Sequence, residues 1–268
     1  MNKIIYFFKK IPHRVWLSAT IIRTFKNWWI WPQNRYNLFH HYNKGDEVIL
    51  HLRNGIKFYF KFGHEELGVL TVLWCQKIYT RYWQIKEGDI VIDIGAHIGA
   101  FSIFAATTAK RIKVFCYEPS PKTFPTLVKN IKINNLENVI FPFQLGVAKR
   151  SGERMLFFHP CGDFGDTLYK DNLFVDKNNS ACIKTITLKD IFERNNLDHC
   201  DFLKMNCESA EYEILLNIPL EYLQKIRYLV FAYHHGCRKI VNFLEKNNFS
   251  IRLNPISEAQ GLIYAKHI

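Results

Sequence analysis

Two hydrophobic periods take turns along this chain. Ile90-Val91-Ile92 is a β-branched run that predicts a strand, and apolar residues from Phe101 to Ala109 then recur at helical spacing. The exchange repeats. Lys113 to Tyr117 predicts a second strand. Phe124, Leu127 and Ile131, with Lys122, Lys129 and Lys132 opposite, predict a helix opened by Pro121 and ended at Asn134-Asn135. Val139 to Phe143 predicts a third strand, Asp190 to Asn195 closes a short helix, and a fourth strand runs through Phe202 to Glu208. A helix over Ser209 to Leu216, a fifth strand over Arg227 to Tyr233, a helix around Ile240 to Leu244, and strands around Ile251 and Leu262 to Tyr264 complete the series. Strands alternating with short helices define an α/β domain.

Upstream the pattern differs. Val48 to Arg53 and Ile56 to Phe60 flank Asn54-Gly55, a strong hairpin signal. Leu67, Leu70, Leu73 and Ile78 predict a helix over Leu67 to Tyr82, running up to the strand at Ile90; it could close over a bound ligand there, and packing alone explains it as well. The first thirty-one residues mix Ile4, Ile5, Phe7, Phe8, Trp16, Leu17, Trp28, Trp29 and Trp31 with Lys3, Lys9, Lys10, Arg14, Arg23 and Lys26. Their longest uncharged run, Val15 to Ile22, is far shorter than the ~20 residues of a membrane-spanning helix, and basic residues break any signal-peptide core. Pro12 fits a first helical turn, and Val15, Ile22, Phe25 and Trp29 recur near helical spacing. Such a basic, Trp-rich amphipathic helix suits either an anionic membrane surface, at the inner side of the cytoplasm, or packing of its aromatic face on the domain or on a second subunit.

Composition adds three constraints. At 268 residues the chain has room for one α/β domain behind an extension, divided as 1–45 and 46–268, with the hairpin and helix in 46–87 and the core in 88–268. The seven cysteines, 75, 116, 161, 182, 200, 207 and 237, have no Cys-x-x-Cys pairing and read as reduced core residues of a cytoplasmic protein, so no zinc site is indicated. A formal charge of +12 implies an acidic partner: nucleic acid, an anionic bilayer or a phosphorylated substrate.

The candidate chemistry lies in Gly88 to Phe101. Asp93 ends a strand, and Gly95 and Gly99 stand four apart before a helix. A dinucleotide site wants Gly-x-Gly-x-x-Gly and a pyrophosphate on the helix start, which a strand-end carboxylate repels. Asp93 suits instead a cation such as the methionine ammonium of S-adenosylmethionine, facing the crevice beyond the strand ends. Glu118 ends the next strand and suits a ribose diol, and Gln144, after the third strand, would lie beside the adenine. In a strand, Lys204, Asn206 and Glu208 share one face and Met205 and Cys207 the other. The long stretch His159 to Ser180 is read as part of a substrate pocket, with Asp163 and Thr167 as candidates.

The chain resembles the FkbM-type S-adenosylmethionine-dependent methyltransferases. The likeness rests on Val91 to Gly99, Tyr117-Glu118-Pro119-Ser120-Pro121 with Asn130 downstream, Leu203-Lys204 through Glu208 and Glu211, and His234. It implies a class I, Rossmann-like sheet of seven mostly parallel strands with helices on both faces. It also implies a cofactor held by Asp93, Gly95, Ala96, His97, Gly99, Glu118 and Pro119, and methylation of a hydroxyl, often on a sugar. Two departures stand out. The family pattern Lys-x-Asp-x-Glu-Gly-x-Glu has Asn206 and Ser209 here, and Ala232 replaces a glutamate two residues before His234. Both lost carboxylates are of the kind that hold a divalent cation or act as a base, so a metal-dependent mechanism is not expected.

Transfer to a sugar hydroxyl requires alignment of the acceptor and removal of its proton. His234 and Glu208 are the surviving candidate bases, Lys204 could orient the acceptor, and Asn206 could only position it. Two other readings compete. An RNA methyltransferase fits the charge, but Asn254-Pro255-Ile256-Ser257 is a poor and misplaced match to an amine-methylating motif, and Pro160-Cys161 precedes the fourth strand. A cofactor-binding domain without turnover is the other reading, given Asn206 and Ala232.

Overall fold

The computed structural model describes residues 15–36, 38, 41–64, 66–159, 165–170, 176 and 178–268. Pro12, Pro160, Cys161, Asp163 and the apolar residues before Val15 lie outside the described residues. The chain divides into two compact units, Met1–Ile78 and Tyr79–Ile268. Composition changes near residue 45, but the hairpin belongs with the N-terminal unit because residues on both sides of that change bond to each other.

In that unit residues 15–24 form helix α1, followed by α2 (Ile30–Tyr36), β1 (Glu47–His51), β2 (Lys57–Lys61) and α3 (Glu66–Trp74). Gly55, at φ +96°, makes the turn that lets β1 and β2 pair antiparallel, His51 opposite Lys57. Asn27 ties the helical segment to the hairpin: its amide donates to Ile49 O at 2.8 Å and accepts from His51 N at 2.9 Å. Phe25 bridges to Leu52 and is fully buried. This corrects the expected helical face. Helix α1 stops at Thr24, so Phe25 turns inward while Val15, Ile22 and Trp29 stay exposed. The helix expected over Leu67 to Tyr82 is also shorter. It ends at Trp74, Lys77 takes a left-handed φ of +50°, and Ile78–Thr80 is a separate 3-10 turn.

The second unit is built on a seven-stranded sheet. Its strands are β3 (Ile90–Ile94), β4 (Lys113–Tyr117), β5 (Ile140–Phe143), β9 (Cys200–Met205), β10 (Ile226–Tyr233), β11 (Phe249–Pro255) and β12 (Gly261–His267), ordered β11-β12-β10-β9-β3-β4-β5. All neighbouring pairs are parallel except those made by β12. The expected seven mostly parallel strands are therefore present. Pro142 sits in β5 at the sheet's edge, where a missing N–H costs no ladder bond.

Alternation along the strands decides what each helix covers. Ile92, Ile94, Phe115, Tyr117, Leu203, Met205, Leu229 and Phe231 form one buried cluster with residues of α6 (Leu188–Arg194), α7 (Ala210–Leu215), α8 (Leu220–Leu223) and α9 (Arg238–Lys246). Asp93 and Phe202 point the other way, toward Ser102 and Phe101 of α4 (Ala100–Thr108). Helix α5 is Phe124–Ile133, so Pro125 rather than Pro121 occupies its first turn. Thr187 caps α6 by a reciprocal pair of bonds with Asp190.

One element was missed. Between β5 and β9, β6 (Gly146–Val147), β7 (Gly152–Phe157) and β8 (Ser180–Ile186) form a separate three-stranded sheet around Leu156, Phe158 and Ile183. Six cysteines are described, and Cys182 on β8 is exposed rather than in the core. Among the described residues, no helix is long and apolar enough to cross a membrane.

Candidate functional site

The site is assembled at the carboxyl ends of β3, β4, β9 and β10. The chain leaves β3 in a tight turn. Gly95 N and Ala96 N both donate to Tyr117 O, at 2.9 and 3.1 Å, and Gly95 has φ +72°. A Cβ on Gly95 would overlap the Asn206 carbonyl, and one on Gly99 (φ +86°) would come within 2.6 Å of Leu127 Cδ1. Both glycines are therefore required by close approach of protein to protein as well as by conformation. The buried Asn130 donates to Ile98 O at 2.9 Å, holding α5 against the turn. His97 takes a left-handed φ of +54° and presents its N–H to Glu118.

Asp93 does not face an open crevice, which corrects the sequence expectation. It is fully buried, with Oδ1 accepting from Lys204 Nζ at 2.8 Å and Oδ2 from Ser102 Oγ at 2.7 Å. The parallel register sets Asp93 opposite Lys204 on the same face, so the two meet without bending either strand. Lys204 Nζ also donates to Gly95 O at 2.7 Å and lies 5.6 Å from the centre of the Tyr79 ring. Burial acts to lower the Lys204 ammonium, but the Asp93 carboxylate and, with smaller contributions, Tyr79 and Cys207 together hold the group above its ordinary range. The Lys204 amine is thus committed to the protein, not aimed outward at an acceptor.

Glu118 is the second buried acid. Its Oε2 accepts from His97 N at 2.8 Å and its Oε1 from Ser120 N at 3.0 Å. Burial pushes its carboxyl up to about 7; the two backbone N–H groups pull the other way, and nearby Asp166 adds to the rise. Pro119 is half-buried beside it, and Gln144 is exposed just past β5, whose Phe143 O accepts from Glu118 N at 3.1 Å. Glu118 and Gln144 therefore stand on adjacent strand ends.

The expected alternation of Lys204, Asn206 and Glu208 fails because β9 stops at Met205. Asn206 N donates to Ile94 O at 3.0 Å, and Glu208 and Ser209 then adopt left-handed φ of +49° and +84°. That turn lifts Glu208 off the strand and brings it to His234, with Nε2 at 3.9 Å from Glu208 Oε2. Burial raises the Glu208 carboxyl above its ordinary value, His234 opposes the rise and Glu211 reinforces it. Glu211 completes the cluster. It is fully buried, its Oε1 accepts from Cys207 N at 2.7 Å and lies 4.0 Å from His234 Nε2. Glu211 Oε2 and His234 Nε2 have no hydrogen-bond partner among the described residues. Two buried polar atoms left in that state mark a place for a polar ligand.

Several residues that sequence reasoning did not single out build this cluster. Tyr212 OH accepts from His234 N and His235 N, at 3.2 Å each, and donates to Gly236 O at 2.7 Å, fixing the loop that carries His234. Tyr79 covers Lys204 and meets Phe101 edge-on at 5.5 Å. Asp166 accepts from Ser120 Oγ at 3.1 Å and from His159 N at 3.0 Å. Thr167, a candidate for the pocket wall, is instead buried and donates to Glu208 O at 2.8 Å. Residues 166 and 167 thus link the Glu118 side of the site to the Glu208 side. Among the described residues no group of three or more His, Cys, Asp or Glu side chains has a geometry suited to a metal ion.

A seven-stranded sheet in this order, with β12 antiparallel, a glycine turn after its central strand and an acid at the end of the next strand, is the class I methyltransferase architecture. The chain belongs to the FkbM methyltransferase family: residues 93–251 match the methyltransferase FkbM domain. The hexuronic acid methyltransferase AglP of Haloferax volcanii is 23% identical over 185 residues, covering 68% of this chain and 72% of AglP. The 31-O-demethyl-FK506 methyltransferase FkbM of Streptomyces tacrolimicus is 21% identical over 209 residues, covering 67% of this chain and 80% of that one. The crystal structure of an FkbM methyltransferase from Methylobacillus flagellatus KT aligns with a TM-score of 0.47 at 15% identity, over 69% of this chain and 45% of that one. This chain thus spans less than half the length of that solved protein.

Proposed function

We propose that this methyltransferase carries a methyl group from S-adenosylmethionine to a hydroxyl oxygen of a sugar, within a glycan, glycolipid or natural product. The observation that carries the reading is the cluster of buried Glu211 with the half-buried Glu208 and His234, and its two buried polar atoms without partners among the described residues. A hydroxyl placed there could donate to His234 Nε2, which takes the proton as the oxygen attacks. Glu208, at 3.9 Å, stabilises the imidazolium that results. Asn206 helps to position the acceptor, and Lys204 acts indirectly, by fixing Asp93 and the Gly95 carbonyl.

The residues present fit the nucleoside half of the cofactor. A buried carboxyl raised to about 7 gains from hydroxyl donors, so Glu118 suits the ribose diol, with Pro119 and Gln144 beside the base. The turn formed by Gly95, Ala96, His97 and Gly99 would border the methionine half, and Asp93 would act there through Lys204 rather than by direct contact. The cofactor supplies an electrophilic methyl group on a sulfonium. The same reading assigns the protein to the cytoplasm, working at the inner face of a membrane through residues 1–31, where lipid-linked sugars are presented.

A radiolabelled methyl-donor assay against glycans, lipid-linked sugars and RNA tests this. We expect label in a sugar hydroxyl, and His234→Ala to lower kcat by about 10²–10⁴ while nucleoside binding persists. Label in RNA alone, or donor binding without turnover on any acceptor, even with Asn206→Asp, would refute it.

A further inference from the structure

Helix α1 has apolar residues on both of its sides. Leu17, Ile21 and Thr24 lie on its inward side and lead to the buried Phe25. On the outward side Val15, Ala19 and Ile22, three and four residues apart, share one stripe, and Val15 and Ile22 are 64% and 42% exposed. Trp16 and Arg23, seven apart, flank that stripe. Past the helix, Trp28 and Trp29 are exposed in the turn that also carries Lys26. A helix that already packs its inner side, with Ile21 buried and Leu17 and Thr24 half-buried, does not need a second apolar face for folding, and an exposed cluster of such residues marks an interaction surface.

The charge says which partner fits. Residues 1–45 hold eight basic residues, Lys3, Lys9, Lys10, Arg14, Arg23, Lys26, Arg35 and Lys44, and the first acid is Asp46. A segment with tryptophans, an apolar stripe and only positive charge matches the boundary of an anionic bilayer, where indole rings sit at headgroup level and each nearby basic residue adds about fivefold in affinity. RNA would use the charge but leave Val15 and Ile22 in water, and a second copy of the same segment would set like charges face to face.

We propose that the outward face of α1, with Trp28 and Trp29, docks this protein onto an anionic phospholipid surface. This deepens the partner part of the function proposed above, but it stands on the N-terminal unit alone and is read without methyl transfer. The full chain is mixed with vesicles of phosphatidylcholine, with and without phosphatidylglycerol, and sedimented at low and high salt. Binding is expected only with the anionic lipid, weakening as salt rises, and falling at least tenfold in the triple variant Val15→Ser, Ile22→Ser, Trp29→Ser. Unchanged thermal melting and unchanged nucleoside binding would show that the variant is folded. No sedimentation with anionic vesicles overturns the proposal, as does binding that the triple variant retains. A wild-type dimer that the variant dissolves, without vesicle binding, would assign the face to a second copy instead. RNA that displaces the vesicles and binds the variant as well as the wild type would assign the charge to nucleic acid. Loss of methyl transfer with vesicle binding intact would count against the function proposed above and leave this surface standing.

Discussion

Changing the pH during nucleoside binding probes Glu118 directly. The carboxyl is buried, and two backbone N–H groups offset only part of the burial cost, so its titration moves from an ordinary 4.5 up to about 7. Ribose hydroxyls donate to the ionised form, and the complex therefore holds fewer protons than the free protein. Binding must then strengthen as pH rises and level off above the free pKa. At about pH 6 roughly a tenth of the groups would be ionised, which weakens binding about tenfold, or ~1.4 kcal/mol, relative to the plateau. In the free protein the linkage has the opposite sense. A carboxyl whose pKa rises on folding favours the fold below about 4.5, and that contribution, on the order of 3 kcal/mol, is lost as pH rises to about 7. Titration calorimetry with S-adenosylhomocysteine from about pH 5.5 to about pH 8, in buffers of different ionisation enthalpy, measures both affinity and proton release. Glu118→Gln should bind more weakly and without this slope. Equal affinity across the range, or a slope that survives in Glu118→Gln, would refute the assignment of Glu118 to the diol.

The other predictions concern stability. Lys204→Met leaves Asp93 buried without its cation and should cost about 3–5 kcal/mol by denaturant unfolding, whereas Asp93→Asn with Lys204→Met should cost less than the sum of the two single changes. Gly95→Ala should prevent a stable fold, since a Cβ there overlaps the Asn206 carbonyl, but Gly55→Ala, at similar φ with open space around it, should cost only about 1 kcal/mol. Ser209 is strained at φ +84°, and Ser209→Gly should raise stability by roughly 0.5–1 kcal/mol, read as a higher Tm, even though its hydroxyl contact with His235 is lost.

Much of the main sheet was legible because its strands are short apolar runs separated by helices with clear polar faces. Glu118 at the end of β4 followed from the same pattern. Four features were not legible, each for a physical reason. Asp93 looked like a ligand-facing acid because sequence cannot reveal parallel register, and register alone puts Lys204 opposite it. The alternation through Lys204, Asn206 and Glu208 assumed extended backbone, which ends at Met205; the glycine missing from Ser209 hinted at a left-handed turn. Strand β8 was hidden because its burial runs against residue type, with Cys182 exposed and Thr185 buried. The Trp-rich N-terminus read as an amphipathic helix with one apolar face, but the helix stops before Phe25 and carries apolar residues on two sides.

The two family carboxylates replaced by Asn206 and Ala232 bear on how the remaining acids work. Glu208 and Glu211 already lie beside His234, and the Glu208 carboxyl is raised by burial and by Glu211. A further negative charge at 206 would raise it more. Asn206 therefore keeps Glu208 ionised to lower pH than an aspartate would allow. Asn206→Asp should move the acid limb of the kcat profile upward without raising its plateau. If aspartate instead raised the plateau and left the limb where it was, position 206 would take part in the chemistry itself, and His234 could not be the sole base.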